Sequence, residues 1–228
     1  MSKDQTDRGW RGTPEGWLDA AYDLLVGSGV DAVKIMPLAQ RLGLSRTSFY
    51  WHFADREALL AGLIARWRAQ NTGNLVARCE APAATIGEAM LNLIDCWVDP
   101  HLFDSRLEFA MRTWALTDPG VDAALVEADA LRLAAITALF RRFGYDATEA
   151  DTRARTLYLT QVGYIALRSD ESFGVRMGRI PAYVLTFSGV APTAAEVAAF
   201  RARHQVTSGQ CFRSGGPEGP EDAPARQG

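Results

Sequence analysis

KIMPLAQRLGLSRTSFYWHFADR, residues 34–56, is where a reading of this chain has to begin. Ile35, Leu38, Ala39 and Leu42 fall at helical spacing and give a first short helix one apolar face. Gly43 follows where a helix end needs a residue that accepts a left-handed backbone. Leu44 fits the angle between two helices, and Ser45 is a suitable N-cap for the second. In that second helix Phe49 and Phe53 stand four residues apart, which places both rings on one face.

The opposite face indicates a task. With both rings inward and about 100° of turn per residue, Thr47 and Trp51 are expected to point away from the core. Arg46, Ser48, Tyr50 and His52 are expected to fan out to the sides. A merely solvated helix favours Lys and Glu. This set instead offers groups that donate to base edges, touch a thymine methyl or bond phosphate oxygens. The spacing therefore predicts a helix-turn-helix reader of the DNA major groove.

The run Gly43-Leu44-Ser45-Arg46-Thr47-Ser48-Phe49-Tyr50-Trp51-His52-Phe53, followed by Asp55-Arg56-Glu57-Ala58-Leu59-Leu60, resembles the signature of the TetR family of transcriptional regulators. The resemblance spans about residues 13–67, and Tyr50-Trp51-His52-Phe53 is its most specific part. It implies a homodimeric repressor with an all-helical ligand-binding domain. Carried over, it places Arg46, Thr47, Ser48 and Tyr50 at bases and His52 and Arg56 at phosphates. Trp51 and Lys34 complete the expected DNA-facing set. Lys34 departs from the pattern, standing where the family often has a capping Thr or Ser. Pro37 falls in the first helical turn, where no hydrogen bond is lost.

Working outward, Thr13 followed by Pro14 and Glu15 opens a first helix, with Trp17, Ala21, Leu24 and Leu25 as its buried stripe. Trp17, Leu24, Leu38, Leu42, Phe49 and Phe53 are expected to form one small core. Asp55 caps a helix carrying Leu59, Leu60, Leu63, Ile64 and Trp67. It is expected to run to about Ala77 and to link the DNA-reading head to the rest of the chain. Beyond Glu80-Ala81-Pro82-Ala83-Ala84, helices are predicted at 85–98, 104–116, 118–143, 148–168, 175–187 and 193–204. No stretch shows strand alternation. The expected class is all-α, with residues 1–12 as an arm, 13–79 as head and connecting helix, 80–206 as a ligand-binding and dimerisation domain, and 207–228 as a disordered tail.

Composition sets bounds. A chain of 228 residues with 48% hydrophobic content holds a small head and a larger domain. Residues 1–78 carry a net +2 and residues 79–228 a net −5, so the basic excess lies with the head. No apolar run approaches the roughly 20 residues of a membrane span. The start lacks a signal-peptide core, so a cytoplasmic protein is expected. Cys79, Cys96 and Cys211 are widely spaced and argue against a disulfide framework or a zinc site. Arg8 and Arg11 are candidate arm contacts to DNA.

The larger domain carries no phosphate loop and no catalytic signature, so no enzyme and no cofactor is expected. His101 with Asp99 and Asp104 has the nonspecific spacing of a solvated loop, and no metal site is expected. Met90, Ile94, Trp97, Phe109, Met111 and Trp114 concentrate soft side chains compatible with a pocket for an apolar effector, with Arg112 and Tyr158 as polar anchors. The resemblance places a dimer interface in 148–187, where Leu157, Val162, Ile165 and Tyr183 are the candidates. The expected function is a regulator released from a palindromic operator by a small molecule. An activator, or a helical sensor or enzyme that does not bind DNA, is the alternative.

Overall fold

The computed structural model of this chain describes residues 12–169 and 171–205. The expected arm contacts Arg8 and Arg11, Cys211 and the tail from 207 lie outside them. Thr13 opens α1 (Pro14–Ser28), its hydroxyl accepting the Gly16 amide. A single 3₁₀ turn, Val30–Ala32, leads to α2 (Ile35–Leu42), closed by Gly43 at φ 65° in the left-handed region. Ser45 caps α3 (Arg46–Phe49), and two further turn bonds, His52 N and Phe53 N to Phe49 O, carry the chain out. Asp55 caps α4 (Arg56–Trp67). The helix then widens through a π segment, Arg68–Gly73, and continues as α5 (Asn74–Glu80), beyond its expected end at Ala77.

The body follows as α6 (Ile86–Val98), α7 (Ser105–Ala115), α8 (Pro119–Arg142), α9 (Ala147–Ala166), α10 (Phe173–Ser188) and α11 (Ala194–Gln205). Thr85, Asp104 and Asp118 accept the amides of the first turns of α6, α7 and α8. Thr193 and Glu196 form a reciprocal capping box on α11. Asp146, two residues ahead of the expected Thr148, caps α9. α10 contains Pro181, which has no N–H to donate and leaves the Met177 carbonyl without its helical partner. No strand occurs among the described residues, so the class is all-α. No described helix is long and apolar enough to cross a membrane.

The buried apolar residues form two cores, and the first extends beyond the small core expected for the head. The first joins Trp17, Leu38, Phe49, Leu63 and Trp67 of the head to Leu107, Met111 and Trp114 of α7 and Val121 and Leu125 of α8. Leu24, Leu42 and Phe53 pack against it half-buried. α1 lies on α7, and Tyr22 donates its hydroxyl to Asp104 at 2.5 Å. The head is therefore bolted to the body by apolar contact. The second core belongs to α5, α6, α8, α9, α10 and α11 and includes Met90, Leu93, Phe140 and Leu157. Cys79 and Cys96 are buried in it, and burial pushes both thiols up, Cys96 to about 12. Neither is a reactive thiolate at neutral pH.

Candidate nucleic-acid interface and a crevice in the body

The head presents α3 because its inner face is fixed by aromatic packing. Phe49 is fully buried, edge-on to Trp17 at 5.3 Å and stacked on Phe53 at 5.5 Å. That leaves Arg46, Thr47, Tyr50 and Trp51 exposed, Trp51 by 60%. Arg46 donates to the Tyr50 hydroxyl at 3.1 Å and lies 5.8 Å from the ring centroid, so the two side chains are ordered together at the surface. His52 is half-buried at the edge of this face. Lys34 is exposed ahead of α2, and its side chain makes no capping bond. Met36, 50% exposed on α2, adds an apolar contact surface that the sequence reading did not single out.

Two expected DNA contacts have intramolecular partners in the structure. Ser48 is buried, its hydroxyl 2.9 Å from that of Ser45, so it belongs to the cap and not to the outward face. A wheel of 100° per residue holds only in a sustained helix, and α3 is a single turn. Arg56 turns inward. Its Nε donates to Val33 O at 2.6 Å and its Nη2 to Val30 O at 2.9 Å, pinning the α1–α2 loop to α4. Arg56→Ala should therefore loosen that loop and lower affinity for all DNA sequences while the salt slope stays unchanged. A slope shallower by about one unit would instead restore the phosphate role.

The expected ligand residues do not converge. Met111 and Trp114 lie in the core between head and body, Met90 lies in the second core, and Phe109 is half-buried under Arg168. Arg112 and Tyr158 are committed to a charge-balanced network around Glu108. Arg132, fully buried, grips Glu108 with two bonds of 2.7 and 3.1 Å and reaches the Tyr158 hydroxyl at 2.9 Å. Arg112 grips Asp129 at 2.6 and 3.1 Å, and Tyr158 donates to Asp129 at 2.6 Å. The connecting helix enters this network at the π segment. Trp67 Nε1 and Asn71 Nδ2 donate to Glu108 at 2.7 and 2.9 Å, and Thr72 Oγ1 accepts from Arg132 Nε at 3.0 Å. Burial alone would raise the Glu108 carboxyl, but Arg132, with help from Arg112 and Asn71, holds it below the usual range.

Of the expected set, Ile94 and Trp97 line a cavity together. It is a crevice of about 50 Å³ between α6, α9 and α10. Leu157, Ile180 and Phe187 supply more of its apolar wall, and Arg176 its cation. The dimer candidates also shift. Leu157 and Ile165 are buried within one chain, Val162 is half-buried, and half-buried Tyr183 lines the crevice. The outward faces of α9 and α10 instead expose Leu159 (59%) and Leu185 (48%) beside Ala166, Gly178 and Ala182. The carboxylates beside His101 make local bonds: Asp104 caps α7 and accepts from Tyr22, and Asp99 accepts the His101 amide.

Comparison with known proteins places this geometry. Residues 18–63 match the family model described as "Bacterial regulatory proteins, tetR family". The chain is 39% identical over 67 residues to the tetracycline repressor protein class A from transposon 1721 of Escherichia coli, covering 29% of this chain and 31% of that protein. It is 41% identical over 49 residues to the Escherichia coli class D repressor, 22% of each. The chain thus spans less than a third of the length of these curated relatives. Among solved structures, Salmonella enterica GusR is similar in fold, with a TM-score of 0.53 at 16% identity over 83% of this chain and 92% of that one. A Rhodococcus transcriptional regulator gives 0.51 at 20% identity over 84% and 97%.

Proposed function

For a chain that belongs, through its head, to the TetR family of bacterial regulatory proteins, we propose the role of a transcriptional repressor that binds a two-fold operator as a homodimer and is released by a small molecule held in the body. One observation carries the DNA half of this reading: a capped turn of helix, set by a left-handed Gly43 and anchored by buried Phe49, exposes Arg46, Thr47, Tyr50 and Trp51 together. Selection of bound sequences from random duplex DNA tests it. The expected product is a palindrome whose half-sites are about 34–36 Å apart, or a multiple of that spacing. Failure to enrich any sequence with ligand-stripped protein would end this reading. On the selected site, Arg46→Ala and Tyr50→Ala should each cost about 1–3 kcal/mol of binding with unchanged folding, by titration of labelled DNA.

Dimerisation is supported by the apolar, small-residue face of α9 and α10. Gly178 and Ala182 permit close helix approach, and Leu159 and Leu185 supply area to bury. Leu185→Arg should convert the dimer to monomer in light scattering and weaken operator binding with it. A monodisperse dimer in that variant would move the interface elsewhere.

Release is argued from placement. Leu157 lines the crevice, and its neighbour Tyr158 touches Arg132, which bonds Thr72 of the connecting helix. A ligand that moves α9 therefore bears on the element that carries the head. Such a ligand shifts the population toward head positions unsuited to DNA, and DNA weakens its binding by the same factor.

A further inference from the structure

We propose that the crevice between α6, α9 and α10 is a binding site for an organic acid, with its carboxylate on Arg176 and its apolar body against Ile94, Leu157 and Ile180. As the effector site, it rests on the regulator reading above; as a binding site, it stands on its own geometry.

The charge pattern selects an anion. Arg176 lines the crevice half-buried, and among the described residues no acceptor lies within hydrogen-bonding or ion-pairing distance of its guanidinium. Glu171 also lines the crevice, but its carboxylate is engaged by Arg179, so these three groups leave one positive charge over. Burial pulls Arg176 below the usual arginine range, with only partial compensation from Glu171 and the tyrosines Tyr164 and Tyr183. An arriving carboxylate supplies the missing counter-charge and a planar acceptor that fits the guanidinium fork. An ammonium would meet repulsion there, and a neutral alcohol would leave the cation uncompensated.

A second donor is also waiting. Trp97 is 7% exposed, lines the crevice and has a buried indole Nε1 with no hydrogen-bond partner. A buried N–H left in that condition is costly, and an acceptor on the ligand would relieve it. The size of the crevice points to a slender molecule. About 50 Å³ admits a short chain end only, so binding requires α10 to give way. Pro181 supplies the means, because the missing helical bond to Met177 lies one turn from Ile180 and Tyr183.

The test uses octanoate, octan-1-ol and octylamine as matched probes of the full-length protein, by calorimetry at neutral pH below their aggregation concentrations. Octanoate should bind at least about tenfold more tightly than the alcohol or the amine. Arg176→Gln should bring octanoate down to the level of octan-1-ol and leave octan-1-ol itself unchanged. Arg176→Lys should keep a preference for octanoate, and Ile180→Trp, which fills the crevice, should remove binding of both. Equal binding of the three probes, or octanoate affinity unmoved in Arg176→Gln, overturns the proposal. If octanoate binds while no DNA sequence can be enriched, the site stands and the regulator reading falls. If an operator is recovered and octanoate does not bind, the reverse holds.

Discussion

Arg132→Met should destabilise the protein by up to about 3–5 kcal/mol, because it removes the two-bond partner of Glu108 in a site 1% exposed and leaves that carboxylate only its 2.9 Å ion pair with the less buried Arg112. At about 2–4 °C per kcal/mol for a chain of this size, thermal unfolding should fall by roughly 10 °C. The double variant Glu108→Leu with Arg132→Met should recover most of that loss, since a buried pair replaced by apolar side chains of similar volume is often neutral. An Arg132→Met protein that melts with the parent would show that water reaches Glu108. The network also sets a pH dependence. The folded carboxyl of Glu108 lies below its unfolded value. Its contribution is therefore complete above the ordinary glutamate value of about 4.3 and is lost as pH falls through the lower folded value. In Glu108→Leu/Arg132→Met that part of the acid sensitivity should disappear.

Trp17→Ala should cost about 3–5 kcal/mol, the range for emptying a fully buried aromatic site. The ring is completely buried and meets Phe49 edge-on, so its loss removes the packing that holds α3 in place. Operator binding should disappear well before the body unfolds, since the second core contains no residue of α1. Trp17→Phe should be much milder. It keeps an aromatic ring and removes the indole Nε1, which is buried without a partner. Amide hydrogen exchange distinguishes the cases: Trp17→Ala should speed exchange in α1 to α3 and spare α6 and α9. Uniform loss of protection would mean that head and body unfold as one unit.

Much of the fold was legible because helix ends are written locally. Thr13, Ser45, Asp55, Thr85, Asp104 and Asp118 all cap as their side chains dictate, and Gly43 adopts the left-handed turn that its position required. The outward residues of the head were legible for the same reason, apart from Ser48 and Arg56, whose partners depend on a one-turn helix and on a loop more than 20 residues away. The body resisted. Met90, Met111 and Trp114 share a composition but fall in two different cores, since which face of a bundle helix meets which neighbour is a non-local matter. Glu108 and Arg132 stand 24 residues apart on two separate helices, and only their approach in space reveals the pair. Arg176 carried no signal at all until α10 was set against α6 and α9.

The π segment at Arg68–Gly73 has a geometrical consequence for the whole assembly. A wide turn of this kind accommodates one residue more than an α-turn, and one residue of α-helix amounts to about 100° of rotation and 1.5 Å of rise. Were Arg68–Gly73 to tighten into regular α-helix, everything N-terminal to it would screw about the helix axis by that step relative to α5. The compass bearing of the head is thus kept in a single surplus residue, held open where Trp67, Asn71 and Thr72 grip the buried charges of the body.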